Sequence, residues 1–214
     1  MNEVASSSFI MENITVIMTG MFTLISSIVL AWFGYNQKTK DKMTDLKIEK
    51  LKNETIEKAA MSNRHIAIIL GELYALLHKL EADRCFIIQP HPEHKHIFLS
   101  VALEVDRKGI APVKDIFQNI PISDMAGFVK DMATNVWMYF DNIEKQVSDL
   151  KTQSMMFLAG SNQVAIRQLL DVRGSWIGSL VVENITPKDF CKDACKDTIS
   201  NSAHVIQYIL PPIL

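Results

Sequence analysis

The chain has 214 residues, enough for one globular domain and an anchoring segment but too few for two full domains with an anchor. Its 22 basic and 24 acidic side chains leave a net charge of -2 and a pI near 6.3, which argues against a basic nucleic-acid-binding face. Cys85, Cys191 and Cys195 are too few for a disulfide framework. Cys191 and Cys195 would share one face of a helix, either as ordinary thiols or as a redox pair.

Residues 1–13 form a flank that contains Glu3 and Glu12 and no Lys or Arg. From Ile14 to Gln37 no residue is charged. That run is long enough to cross a hydrocarbon core of roughly 30 Å as a helix. Trp32 and Tyr35 stand at its end, where amphipathic rings favour the interface. A cleavable signal peptide fits less well, because no basic residue precedes the run and no small-residue cleavage site precedes Lys38.

Within the run, Thr15, Thr19, Thr23 and Ser27 recur every fourth position, with Gly20 and Ser26 beside them. Such a stripe either bonds its own backbone or lets helices approach and bond one another in lipid. Self-association into a homo-oligomer in the bilayer is the expectation. Lys38, Lys40, Lys42, Lys47, Lys50 and Lys52 lie just beyond the run, so the positive-inside rule places the C-terminal domain in the cytoplasm.

Residues 38–61 read as a charged helical stalk, and 62–214 as the soluble domain. Between 38 and 81 there is no Pro and one Gly, Gly71, which predicts one long helix or two stacked ones. Ala59, Asn63, Ile66, Leu70, Leu73, Leu77 and Leu80 follow heptad spacing. The stripe suits either a parallel dimer seam or a helix lying on its own sheet.

Strands are expected at Cys85–Gln89 and Ile97–Val105, separated by a turn from Pro90 to His96. His91, His94 and His96 invite a metal reading, but Glu93 is the only acidic neighbour, and a solvated hairpin tip is expected instead. Asp124–Tyr139 reads as an amphipathic helix capped by Ser123. Further strands are expected at Met155–Leu158, Gln163–Val172 and Trp176–Asn184, the last two joined by a turn at Gly174-Ser175. Asp189–Ile209 closes the chain as a helix before Pro211-Pro212. This order predicts an α+β fold, an antiparallel sheet with helices on one face.

No phosphate loop, dinucleotide turn, nucleophile elbow or metal-binding motif is present, so neither an enzyme nor a cofactor is expected.

These residues carry two resemblances. The hairpin Gly174-Ser175-Trp176-Ile177-Gly178-Ser179-Leu180-Val181-Val182 and the order of elements over 62–210 resemble a GAF/PAS-type sensory domain. Over nearly the whole chain the layout resembles the holins of T-even-type phages. Leu80-Glu81-Ala82-Asp83-Arg84 with the strand after it, the turn at Pro90–His96, the strand Ile97–Val105 and the closing helix through His204-Val205-Ile206-Gln207 carry that likeness. It implies a protein that accumulates in the host inner membrane and opens lesions that release an endolysin. It also implies an antiholin partner on a periplasmic soluble domain, against the cytoplasmic placement that the lysines predict. The alternative expectation is a membrane-tethered GAF-like module that binds a ligand or protein without lytic activity. A structural membrane protein is a third.

Overall fold

A computed structural model describes residues 18, 21–23, 26–27, 32, 50–52, 59–92, 95–188 and 192–213. Two compact units divide the chain at Ala59/Ala60.

In the first unit Met18, Met21, Phe22 and Trp32 are helical and exposed. Ser26 Oγ donates to the Phe22 carbonyl at 2.8 Å and Ser27 Oγ to the Thr23 carbonyl at 2.7 Å. These are the local bonds that hydroxyls make when a helix offers no other acceptor. Thr23 is helical and exposed. Thr15, Thr19 and Gly20 lie outside the described residues, as does most of the uncharged run. Among the described residues no helix is long and apolar enough to cross a membrane, so the span rests on the sequence alone.

The second unit begins with helix α1 (60–79). It buries Ile69, Leu73, Leu76 and Leu77, at most 5% exposed, and half-buries Leu70 and Leu80 at the margin of the same face. Ile66 is half-buried, one turn earlier. Over 69–80 the apolar stripe is therefore the face that lies on the chain's own sheet.

Six strands come next: β1 (Arg84–His91), β2 (Phe98–Asp106), β3 (Ile120–Pro121), β4 (Trp137–Phe140), β5 (Gln163–Leu170) and β6 (Trp176–Asn184). They form one antiparallel sheet in the order β3-β2-β1-β6-β5-β4. Strand alternation sends Cys85, Ile87, Leu180 and Val182 to one face, where α1 and the closing helix α5 (Lys192–Ile206) pack with Cys195, Ile199, Ala203 and Ile206. Phe86, Ile88, Val164, Ile166 and Val181 point to the other face. A 3-10 turn (Ile122–Met125), α2 (Ala126–Thr134), α3 (Ile143–Gln146) and α4 (Leu150–Leu158) cover that side.

The layout corrects several expectations. Helices cover both faces of the sheet, not one. The helix expected over Asp124–Tyr139 stops at Thr134, and Trp137–Phe140 instead pairs with β5 from Trp137↔Arg167 to Phe140↔Val164. Ser123 lies inside the 3-10 turn and makes no cap; its Oγ donates to Asp124 Oδ1. Met155–Leu158 is the last turn of α4, not a strand. Pro90 and His91 continue β1, so the turn is shorter than expected. Cys85 is a buried free thiol and Cys195 is buried; Cys191 lies outside the described residues.

One glycine is required by close approach. A Cβ on Gly178 would stand 2.7 Å from the Ile88 carbonyl oxygen and 3.0 Å from Gln89 Cγ, so β6 can meet β1 there only without a side chain.

Candidate functional site

The segment 141–162 builds a groove on the side of the sheet away from α1. Asn142 caps α3, its Oδ1 accepting from Lys145 N at 3.0 Å. Asp149 caps α4 by accepting from Thr152 N at 2.8 Å. Gly160, in the left-handed conformation (φ 72°), ends α4. Ser161 N donates to Met156 O and Gly160 N to Phe157 O, both at 2.9 Å, the paired bonds of a Schellman termination.

Inward, α4 contributes Met155 and Met156, and outward it leaves Leu150, Phe157 and Leu158 about three-quarters exposed. Their spacing puts Leu150, Phe157 and Leu158 on one side of the helix, with Ser154 between them. Beside them lies an open groove of about 700 Å³, lined among others by Asn142, Ile143, Gln153, Phe157, Leu158 and Ser161.

Behind the groove sits a buried ionic hub. Arg84 and Glu183 are each 1% exposed, with Nε and Oε2 3.5 Å apart. The Arg84 guanidinium also donates to the Ala159 carbonyl, so it holds the C-terminus of α4 as a cation should. Ser161 Oγ donates to Glu183 Oε2 at 2.9 Å, which joins groove and hub. Strand register sets Asp106 opposite Arg84 and Glu104 opposite Phe86, on the same face. Glu104 accepts from the backbone of Val113 and Lys114.

The Arg84 guanidinium thus acts on Glu183 and Asp106, and Glu104 adds its charge beside both. Burial drives Glu183 up to about 7, against the opposing pull of Arg84 and Ser161. Burial and the neighbouring Glu104 push Asp106 up to about 7 as well. Asp83, next to Arg84, behaves oppositely: burial would raise it, but Lys188 at 2.8 Å and the Ile185 N–H outweigh that and hold it low. Burial pushes the Cys85 thiol far up, which makes it a poor nucleophile.

The sequence-predicted positions are distributed elsewhere. Leu73 and Leu77 lie in the core under α1, with Leu70 and Leu80 beside them. His91 is buried against Ser100 and His96 stands edge-on to Trp176, while His94 lies outside the described residues. No cluster able to hold a metal occurs among the described residues. Sequence reasoning missed α4 and Ser161, although Asp149 was available as a start signal and Gly160 as a stop signal. Arg84 and Glu183 are about a hundred positions apart, and no local pattern links them.

No family model matches the sequence, and no curated protein matches it. Solved structures do match in fold. The GAF domain of PixJ from Thermosynechococcus elongatus aligns with a TM-score of 0.55 at 12% identity, over 69% of this chain and 88% of its own. A far-red cyanobacteriochrome photoreceptor aligns with a TM-score of 0.54 at 13% identity, over 78% and 99%. A domain assigned to a two-component sensor histidine kinase of Sinorhizobium meliloti 1021 gives 0.50 at 12% identity, over 66% and 86%. The second unit has the fold of a GAF domain, as its late hairpin resembled. At these identities the likeness concerns fold only, and no phage holin is among these similar structures.

Proposed function

We propose that this protein is a GAF-fold binding module tethered to a membrane by its uncharged N-terminal run, and that it binds a protein partner through the α3–α4 groove. The observation that carries the reading is the exposed apolar row Leu150, Phe157 and Leu158 beside that groove. Contiguous exposed apolar side chains rimmed by polar groups are the signature of interaction surfaces. The inner face of the same helices supports a protein partner over a small molecule. It is filled by Ile143, Met155 and Met156 packed on the sheet beside Met125, Phe128 and Met132 of the preceding elements. Because Ser161 and Ala159 connect α4 to Glu183 and Arg84, occupation of the groove is coupled to the protonation of the hub.

The test is photo-crosslinking in cells from a reactive side chain at Gln153 of the full-length protein. A discrete adduct that disappears with Phe157→Ser, and that a probe at Lys108 never yields, is the expected result. Equal labelling from both positions would remove the groove from consideration.

A second reading, a holin that clusters and permeabilises the inner membrane, is favoured by the uncharged run with its hydroxyl stripe. Here the groove would take the antiholin. Inducing the full-length chain should then cause a delayed, abrupt loss of membrane potential. Normal growth with abundant membrane-inserted protein would leave the binding module alone.

A further inference from the structure

The sheet ends in two unequal edges. β3, at one edge, has two residues and closes with Pro121, which has no N–H to offer. β4, at the other, consists of Trp137, Met138, Tyr139 and Phe140, with neither a proline nor a charge among them. The bond from Gln168 N to the Val136 carbonyl fixes the phase of the β4–β5 ladder, so Trp137 and Arg167 face each other without bonding each other's backbone. The Trp137 N–H and C=O therefore point away from β5, out of the sheet. Neither has a hydrogen-bond partner among the described residues. The chain closes this row at both ends: Asn135 N donates to the Asp131 carbonyl, and Asp141 N to Gln146 Oε1, each at 2.9 Å.

Beside Phe140 a cavity of about 290 Å³ lies between α2 and the turn that joins α3 to α4. It is on the face of the sheet where Met138 and Phe140 pack. Asp131 and Asp149 are the only charged side chains among its described lining residues. Asp149 uses Oδ1 to cap α4, and its Oδ2 lies 3.8 Å from the position a Cβ would take on Gly127. Gly127 and Asp131 are about one turn apart on α2, so the two carboxylates reach the cavity from facing walls. Lys130, Lys145 and Lys151 are near in sequence, but none lines the cavity, and among the described residues no ion pair joins them to either aspartate. The cavity is therefore acidic, and a cation is the charge that it lacks.

We propose that β4 takes up a short extended segment of a partner protein, which adds a strand to the sheet and sets a lysine or arginine side chain between Asp131 and Asp149. Backbone bonds to an open edge give affinity with little regard to sequence, and pockets for alternate side chains give the choice. The alternation fits: a strand beside β4 sends every second side chain to the face of Met138 and Phe140, where the cavity opens. This surface shares no lining residue with the α3–α4 groove, so it goes beyond the groove reading and does not depend on it.

Fluorescence anisotropy on the full-length chain in nanodiscs tests it, with a short labelled peptide of alternating valine and threonine around one central lysine as the probe. That peptide should bind roughly fivefold more tightly than the same peptide carrying norleucine, and the difference should shrink as salt rises. Asp131→Asn combined with Asp149→Asn, which keeps a side-chain cap on α4, should erase the preference for lysine. N-methylation of alternate peptide amides should abolish binding in one phase of the alternation and spare it in the other, because only one set faces β4. Phe157→Ser should leave binding unchanged whether or not the groove reading holds. Anisotropy equal to that with empty nanodiscs, equal binding of the lysine and norleucine peptides, a lysine preference that survives the double substitution, or equal effects of the two methylation phases would overturn the proposal. Loss of binding in Phe157→Ser would overturn it too, by moving the peptide to the groove.

Discussion

The two faces of the sheet are built by different means. Under α1 and α5, long helices with regular apolar spacing lay Ile69, Leu73, Leu76, Ile199 and Ile206 on Cys85, Ile87, Leu180 and Val182. The opposite face is assembled from short pieces, none longer than nine residues, and much of its filling is methionine: Met125, Met132, Met155 and Met156. Methionine is flexible and fills irregular gaps with little penalty for rearrangement. The first face is therefore the scaffold. The second is adaptable, and it carries both the exposed row of α4 and the ionic hub that tethers α4 to the sheet.

The severest way to break this contrast is at the hub. Arg84→Met leaves Glu183 buried and opposite no cation, and should cost about 3–5 kcal/mol in chemical denaturation of the full-length protein. Adding Glu183→Leu should recover most of the loss, because two well-packed apolar groups replace an ion pair at little net cost. Failure of the double variant to recover would show that Arg84 acts mainly through the Ala159 carbonyl.

A smaller effect is expected where the two faces share a strand. Gly178→Ala must push the Ile88 backbone aside, and about 1–3 kcal/mol should be lost. The loss should be read as a lower midpoint at an unchanged denaturant slope.

The pH profile sharpens the distinction further. Glu183 rises from an ordinary 4.5 to about 7 in the fold, so the folded state holds a proton that the unfolded chain has released between those values. Stability should be greatest below about pH 4.5 with respect to this group. It should fall as pH rises to about 7, by about 1–3 kcal/mol, then level off. Glu183→Gln should flatten that slope. A steepened or unchanged slope would assign the titration to Asp106 instead.

The smallest effect on stability belongs to the outer row. Phe157→Ser with Leu158→Ser removes side chains already in water and should shift stability by no more than about 0.5 kcal/mol. Partner crosslinking at the groove should nevertheless vanish. A stability loss as large as that of Leu73→Ala, about 2–5 kcal/mol, would mean that the row is core and not surface.

Much of the scaffold was legible because its signals are local and repeated. The hairpin of β5 and β6 was readable from Gly174 and the alternating run after it. Asp171 completes that turn by accepting from Arg173 N and Ser175 N at 2.8 and 2.7 Å. The adaptable face was read less well. Trp137–Phe140 comes after a helix without a glycine stop, so its apolar pattern appeared to continue the helix. Met155–Leu158 is a short apolar run whose type periodicity cannot decide.

By itself, the sequence determined the uncharged run Ile14–Gln37, the long helices at either end of the domain and the turns between β1 and β2 and between β5 and β6. These depend on neighbours within a few positions. Tertiary structure alone decided that Leu73 and Leu77 face the sheet, that Trp137–Phe140 is a strand and that Arg84 meets Glu183 beneath α4. It also decided that the buried Gln89 amide meets the Ile177 and Pro211 carbonyls. Each of these depends on which distant strand or helix supplies the other half of a contact, and burial makes that choice costly to get wrong.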